Sequence, residues 1–462
     1  MIFRYSNIRA AKFLLPSIIT LSFFSKSVYA QSVSKADVQD ILEKLTTALT
    51  DQYPFPEISA KYHDALVKNE RDGKYLNLTE QKLANQLTAD LQQVHKDVHL
   101  HVLRSESQYK SLTSPEAASS NRASELEQLR RQNYGFRNVD LDPLSSVAYI
   151  NIPGGFHATQ EAFDMAAAAM NMAAYSKYVI LDVRANGGGS GQMGRFLASY
   201  FYNAGEEQFY LNGFYKNRSR DEQEWTYAYV PGKRNPAAKV YILIGPGTGS
   251  AAEGFAYAMQ KLHRATIVGE ASAGAGIAGS FKPLKDNLVV FLPFKMVVGP
   301  NSQVGWEGTG VLPDSVTAGK DALAETRQFV WQDIIKNSSD SSLKASVQWQ
   351  LEDSKVNLNN KPGLTKRYGD LAGKYDDTHL IVIHQGKFFW QIADPGKPKR
   401  EFEMREVMPD VFTIVDLNKA YDTNSSRLYI MRTADGKLSS LTEKILLPNG
   451  TIYIDPRRFQ RR

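Results

Sequence analysis

Apolar residues follow three regimes along this chain. From Lys35 to about Leu91 they recur at helical spacing, with Val38, Ile41, Leu42, Leu45 and Leu49 on one face and Leu83, Leu87, Leu91 and Val94 on another, which predicts a small helical domain. Residues 97–103 alternate instead: Val98, Leu100 and Val102 share one face and His99 and His101 the other, so a strand with two exposed histidines is expected. Residues 104 to about 133 are rich in Ser, Glu, Arg and Gln without apolar period and read as a linker with one polar helix. From Val147 onward strands (147–152, 178–183, 239–244, 265–268, 288–292) alternate with helices (159–174, 192–202, 251–262, 321–335), the pattern of an α/β core. The polar run 337–342 marks a boundary. Beyond it, short strands between turns, at 379–383, 387–391, 427–431 and 451–454, predict an antiparallel β module. The expected organisation is a leader over 1–30, a helical domain over 31–103, a linker over 104–138, an α/β core over 139–336 and a β module over 337–462.

The leader is expected because Arg4, Arg9 and Lys12 precede an apolar run over 13–24, and Val28-Tyr29-Ala30 then offers a small-residue cleavage site. Its apolar run is short for a membrane span and is interrupted by Pro16 and Ser17. A secreted or periplasmic mature chain, beginning near Gln31 and without a membrane span, follows. Losing Arg4, Arg9, Lys12 and Lys26 lowers the formal charge from +6 to +2, so nothing calls for a nucleic-acid partner. The absence of cysteine excludes disulfides, thiolate metal sites, a cysteine nucleophile and a lipid-modified cysteine.

The segment 244–253, Ile-Gly-Pro-Gly-Thr-Gly-Ser-Ala-Ala-Glu, changes the picture most. It ends an apolar strand, turns sharply through Gly245, Gly247 and Gly249, and sets Ser250 at a helix start. Unpaired N–H groups and the positive end of the helix dipole would stabilise an oxyanion there, which suits acyl transfer. Ser250 and Glu253 also spell a capping box, so a purely structural role for the serine stays open. Position 252 is Ala, which excludes the Gly-x-Ser-x-Gly elbow. A second glycine cluster, 182–190, follows a strand and opens a helix, so its N–H groups can face an anionic atom or simply make a tight turn. The text 189–194 also fits Gly-x-Gly-x-x-Gly, but five residues separate it from the strand, which argues against a dinucleotide site.

Four motifs in order, Ile180-Leu-Asp-Val-Arg-Ala-Asn-Gly-Gly-Gly189, Gly249-Ser-Ala-Ala-Glu253, Thr266-Ile-Val-Gly-Glu270 and Trp306-Glu-Gly-Thr-Gly-Val-Leu-Pro-Asp314, resemble the serine peptidase family of C-terminal-processing proteases, tricorn core protease and interphotoreceptor retinoid-binding protein. The helical front part and Asn133-Tyr-Gly-Phe-Arg137 are similar to the retinoid-binding-protein-like branch. The resemblance implies a crotonase/ClpP-like α/β catalytic core, with Ser250 as nucleophile and an oxyanion hole from Ala251 with Gly188 or Gly189. Ala275 stands where the processing branch carries its activating lysine. The tricorn-like branch instead pairs a histidine from the front part with a downstream glutamate, which implies Ser250, His99 and Glu307 as the triad; Val98 replaces a serine that assists there. An imidazole can take and return the serine proton while a carboxylate fixes its tautomer.

From residue types alone, His95, His99 and His101 also allow a metal site or a plain polar strand face, His157 and His263 are fallback bases, and Glu307 can be a solvated loop acid. Only 47 residues separate His99 from Val147, too few for an inserted peptide-gripping domain of roughly 80 to 100 residues. The expected function is a serine endopeptidase acting on polypeptides through an acyl-enzyme, without metal or cofactor. The alternative is a non-catalytic binder of apolar ligands or peptides on the same fold. Oligomeric state is not legible from the sequence.

Overall fold

The helical spacing of the front part closes into α1 (Lys35–Gln52), α2 (Pro56–Arg71) and α3 (Glu80–Val94). Ser34 and Thr79 cap the first and third by accepting from the amides of Asp37 and Lys82. The computed structural model describes residues 32–97, 99–216, 220–300, 302–317, 321–356, 363–416 and 426–462; the expected leader and Val98 lie outside them. The apolar faces of α1 to α3 meet Leu100 and Val102 and share one cluster with Leu288, Val290 and Leu292. That sharing has a backbone basis: β1 (His101–Arg104) pairs antiparallel with β10 (Leu288–Val298), His101 opposite Phe291. The histidine face expected to be exposed is half-buried, because the rings of His99 and His101 both stack on Phe291 at 5.8 Å between centroids.

Where a linker with one polar helix was expected there are two helices, α4 (Glu106–Thr113) and α5 (Pro115–Arg131), capped by Ser105 and Ser114. Caps and i,i+4 ion pairs such as Lys110–Glu106 and Arg131–Glu127 support helices that bury almost nothing.

The core sheet takes β2 (Asn138–Asp142), β3 (Val147–Asn151), β4 (Tyr178–Asp182), β7 (Lys239–Ile244), β8 (Ala265–Gly269) and β11 (Ser315–Val316), in the order β11-β8-β7-β4-β3-β2. All pairs are parallel except β2–β3. Alternate residues face opposite sides and both sides are buried. Ala148, Ile150, Val179 and Leu181 pack under α6 (Gln160–Met172), α7 (Gly191–Ser199) and α8 (Ser250–Lys261). Val147, Tyr149, Tyr178 and Ile180 pack against α9 (Ala322–Asn337) and α10 (Ser341–Ser354). A second sheet, β1-β10-β5-β6 with β9 along β10, adds β5 (Phe209–Tyr215), β6 (Asp221–Trp225) and β9 (Ile277–Pro283).

Beyond α11 (Leu364–Arg367), eight consecutive antiparallel strands run from β12 (Gly373–Lys374) to β19 (Ile452–Phe459). The Arg462 amide donates to the Lys374 carbonyl at 2.8 Å, so the tail returns to the first strand of the meander around a core of Trp390, Phe388 and Phe412. Buried Arg427 ties this module to α10 through Glu352, Asp353 and the Trp349 carbonyl. The fold class is the expected one: an α/β core, helices before it, an antiparallel β module after it.

Candidate active site

The two glycine clusters lie at the carboxyl ends of neighbouring strands β4 and β7, where open α/β sheets leave a crevice. Asn186, fully buried, locks them together. Its side chain donates to the Ile152 carbonyl and accepts from the Gly188 amide, and its carbonyl accepts from the Gly249 amide at 3.0 Å. Thr248 Oγ1 adds a bond to the Val183 carbonyl. Gly188 has φ +105°, and a Cβ there would meet the Gly249 carbonyl oxygen and Ser250 Cβ at 2.7 Å, so only glycine allows this approach.

Ser250 opens α8 with φ +48°, in the left-handed region that L-residues avoid. Half of the capping box is present: the Ser250 amide donates to Glu253 Oε2 at 2.7 Å. The other half is not, because Gly249 occupies the cap position and the serine hydroxyl caps nothing. Glu253 is a hub instead. Fully buried, it also accepts from Ser272 Oγ, the Gly274 amide and the Ala275 amide, and so holds the loop 272–275 against Ser250. Among the described residues the amides of Ala251 and Gly189 have no acceptor, whereas that of Gly188 is committed to Asn186. Of the two glycines expected to supply an oxyanion donor, Gly189 is therefore the available one and Gly188 the spacer.

His99 and Glu307 meet. Side-chain ligand atoms of Asp97, His99 and Glu307 all lie within 4.8 Å of one another, whereas His95 and His101 stay outside this group. Asp97, fully buried, accepts from the amides of His99 and Leu100 and from the Tyr53 hydroxyl. Burial holds the His99 imidazole below its ordinary value, opposed by the nearby charges of Asp97 and Glu253. Burial pushes the Glu307 carboxyl up to about 7, against the Gly276 amide that donates to it at 2.6 Å and with Asp97 and Glu253 adding to the rise. Asp97 as a second carboxylate beside His99, and Asn186 and Glu253 as scaffolding, were not assigned from sequence; the first stands only two residues from His99, and the others act on segments that folding brings near. No hydrogen bond links Ser250 to His99 among the described residues, and His99 Nδ1 is buried without a partner. His157 bonds the Gly154 carbonyl.

Ser250, Ala251, Gly189 and Gly276 share the rim of a cavity of about 120 Å³. A lysine does reach it, from β10 rather than from position 275: Lys295 Nζ lies 3.4 Å from Glu222 and from Glu224.

These features define a class: α/β proteins with a serine at a helix start beside a glycine-lined cavity. Comparison with known proteins adds a family resemblance. Residues 146–317 match the model described as peptidase family S41, and residues 30–137 that of the N-terminal domain of this family in eukaryotic IRBP. The segment 146–317 is thus similar to peptidase family S41, and the segment before it to that family's N-terminal domain. A Staphylococcus epidermidis protein named "Probable CtpA-like serine protease" is 27% identical over 139 residues, 30% of this chain and 27% of that protein. The chloroplastic carboxyl-terminal-processing peptidase 1 of Arabidopsis thaliana is 29% identical over 139 residues, covering the same shares. The match thus spans about a quarter of these relatives. A lipoprotein structure from Streptococcus agalactiae aligns with 70% of this chain and 100% of its own at 16% identity and a TM-score of 0.42.

Proposed function

We propose that the chain is a secreted or periplasmic serine endopeptidase, with Ser250 as nucleophile, His99 as general base and Glu307 as the acid that orients the imidazole. The observation that carries this reading is the Ser250 hydroxyl, uncapped at a strained helix start, on a cavity rim shared with the acceptor-free amides of Gly189 and Ala251. Ser250 Oγ attacks the substrate carbonyl carbon as its proton passes to His99, and the oxyanion takes the two amides. Collapse breaks the C–N bond, His99 returns the proton to the leaving amine, and water repeats the sequence to free the acid. The family matches support it, since their two spans include His99, Ser250 and Glu307.

The lack of a Ser250–His99 hydrogen bond among the described residues is compatible with a base that comes into line only in the substrate complex. It is also the observation that favours the second reading, a non-catalytic binder. Labelling with a fluorophosphonate separates the two. One label per chain is expected, lost in Ser250→Ala and slowed at least about a hundredfold in His99→Ala. Absence of Ser250-dependent labelling from about pH 5 to 9, a range that brackets imidazole titration, rejects the peptidase.

A further inference from the structure

The cavity beside Ser250 is lined by the apolar side chains of Leu211, Ile277 and Val297 together with several polar ones. Tyr210 and Trp306, 1% and 2% exposed, both line it, and the hydroxyl of one and the indole N–H of the other meet no partner among the described residues. Gly194 makes room for that hydroxyl, since a Cβ there would stand 3.1 Å from it. Such sealed donors carry a desolvation cost that an acceptor on a ligand would relieve. Lys295 and Glu224 complete the lining, and the lysine charge is already matched by Glu222 and Glu224. A cavity of about 150 Å³ holds the six carbons of benzene, so about 120 Å³ admits about five non-hydrogen atoms.

We propose that this cavity selects a substrate side chain of about five non-hydrogen atoms with a neutral amide end, that of glutamine, on the acyl side of the bond cut at Ser250. The inference rests on the peptidase reading. The amide oxygen accepts from Tyr210 and Trp306, and the amide nitrogen donates to Glu224. Leucine and methionine leave the two donors unpaired; glutamate brings a third carboxylate to Lys295.

The test uses peptidyl diphenyl phosphonates that differ only in the side chain beside phosphorus, with the rate of Ser250 labelling on the full chain read by mass spectrometry. The glutamine probe is expected to react at least about tenfold faster than the leucine, methionine and glutamate probes. Tyr210→Phe should narrow the glutamine-to-leucine ratio, and Glu224→Gln the glutamine-to-glutamate ratio. A plain fluorophosphonate run on every variant checks that each is folded and its nucleophile alive. If it labels the wild type while leucine matches or beats glutamine, or while no phosphonate reacts, the specificity falls and the peptidase stands. Unchanged ratios in both variants also overturn it. If the fluorophosphonate itself fails on the wild type, both readings fall.

Discussion

Ser250 is held where a serine side chain is unfavourable, at φ +48°. Replacing it with glycine should stabilise the fold by about 1 kcal/mol, read by urea unfolding, while removing all labelling. A neutral or destabilising outcome would mean that the backbone there is unstrained. Gly188→Ala should do the reverse, costing about 2 kcal/mol or more, because its Cβ collides with backbone and not with a flexible chain end. The Glu307 carboxyl, raised to about 7 from an ordinary 4.5, stays protonated in the folded chain between those values while the unfolded chain has released its proton. Its contribution to stability therefore falls as pH rises through that window. Glu307→Gln should gain more in Tm over the wild type at pH 8 than at pH 5. In the rate profile, a limb near pH 7 set by Glu307 ionisation should vanish in that variant, leaving a slower reaction governed by His99, whose pKa burial keeps low. Ser250 and Glu307 were singled out because each sits in a motif that carries the resemblance, and His99 only through the tricorn-like branch. Asp97, Asn186 and Glu253 each make at least one contact that local spacing encodes, but their bonds to Tyr53, Ile152 and the loop 272–275, like the entry of Lys295 into the cavity, join segments far apart in the chain.

Elements with strong periodicity were read well, as the apolar strands β3, β4 and β7 and the helices after them show. Strand β9 was not. Its sequence, Ile-Ala-Gly-Ser-Phe-Lys-Pro, lacks alternation, and it is extended because it pairs along β10, with Gly279 leaving space where a Cβ would stand 2.4 Å from the Phe291 ring. β5 and β6 were missed for the same reason, being defined by pairing more than by pattern. The docking of α10 on the β module rests on Arg427, 1% exposed and bonded to Glu352 and Asp353. Arg427→Ala should cost about 3–5 kcal/mol, since it strands two partly buried carboxylates, and chemical denaturation would show it. A loss within about 0.5 kcal/mol would mean that water replaces the pair.

At the scale of the molecule, the front helices and the core share one apolar cluster in which α1 to α3 meet Leu288, Val290 and Leu292 of β10. They should unfold together, so native-state hydrogen exchange should give the amides of α1, α3 and β10 a common opening free energy. An early, separate opening of residues 32–97 would contradict this. The coupling bears on function because β1, next to His99, is fixed by that same strand. What the sequence determined unaided was the order of helical, α/β and β segments and the glycine-rich turn that sets Ser250 at a helix start, since apolar period and glycine placement act over a few residues. Only the tertiary structure decided that two histidines expected in solvent stack on Phe291, that Asp97 joins His99 and Glu307, that the Gly188 amide is spent on Asn186, and that a lysine enters the cavity from β10. Each depends on segments far apart in the chain meeting in a buried place, where desolvation and packing, not local pattern, set which groups face one another.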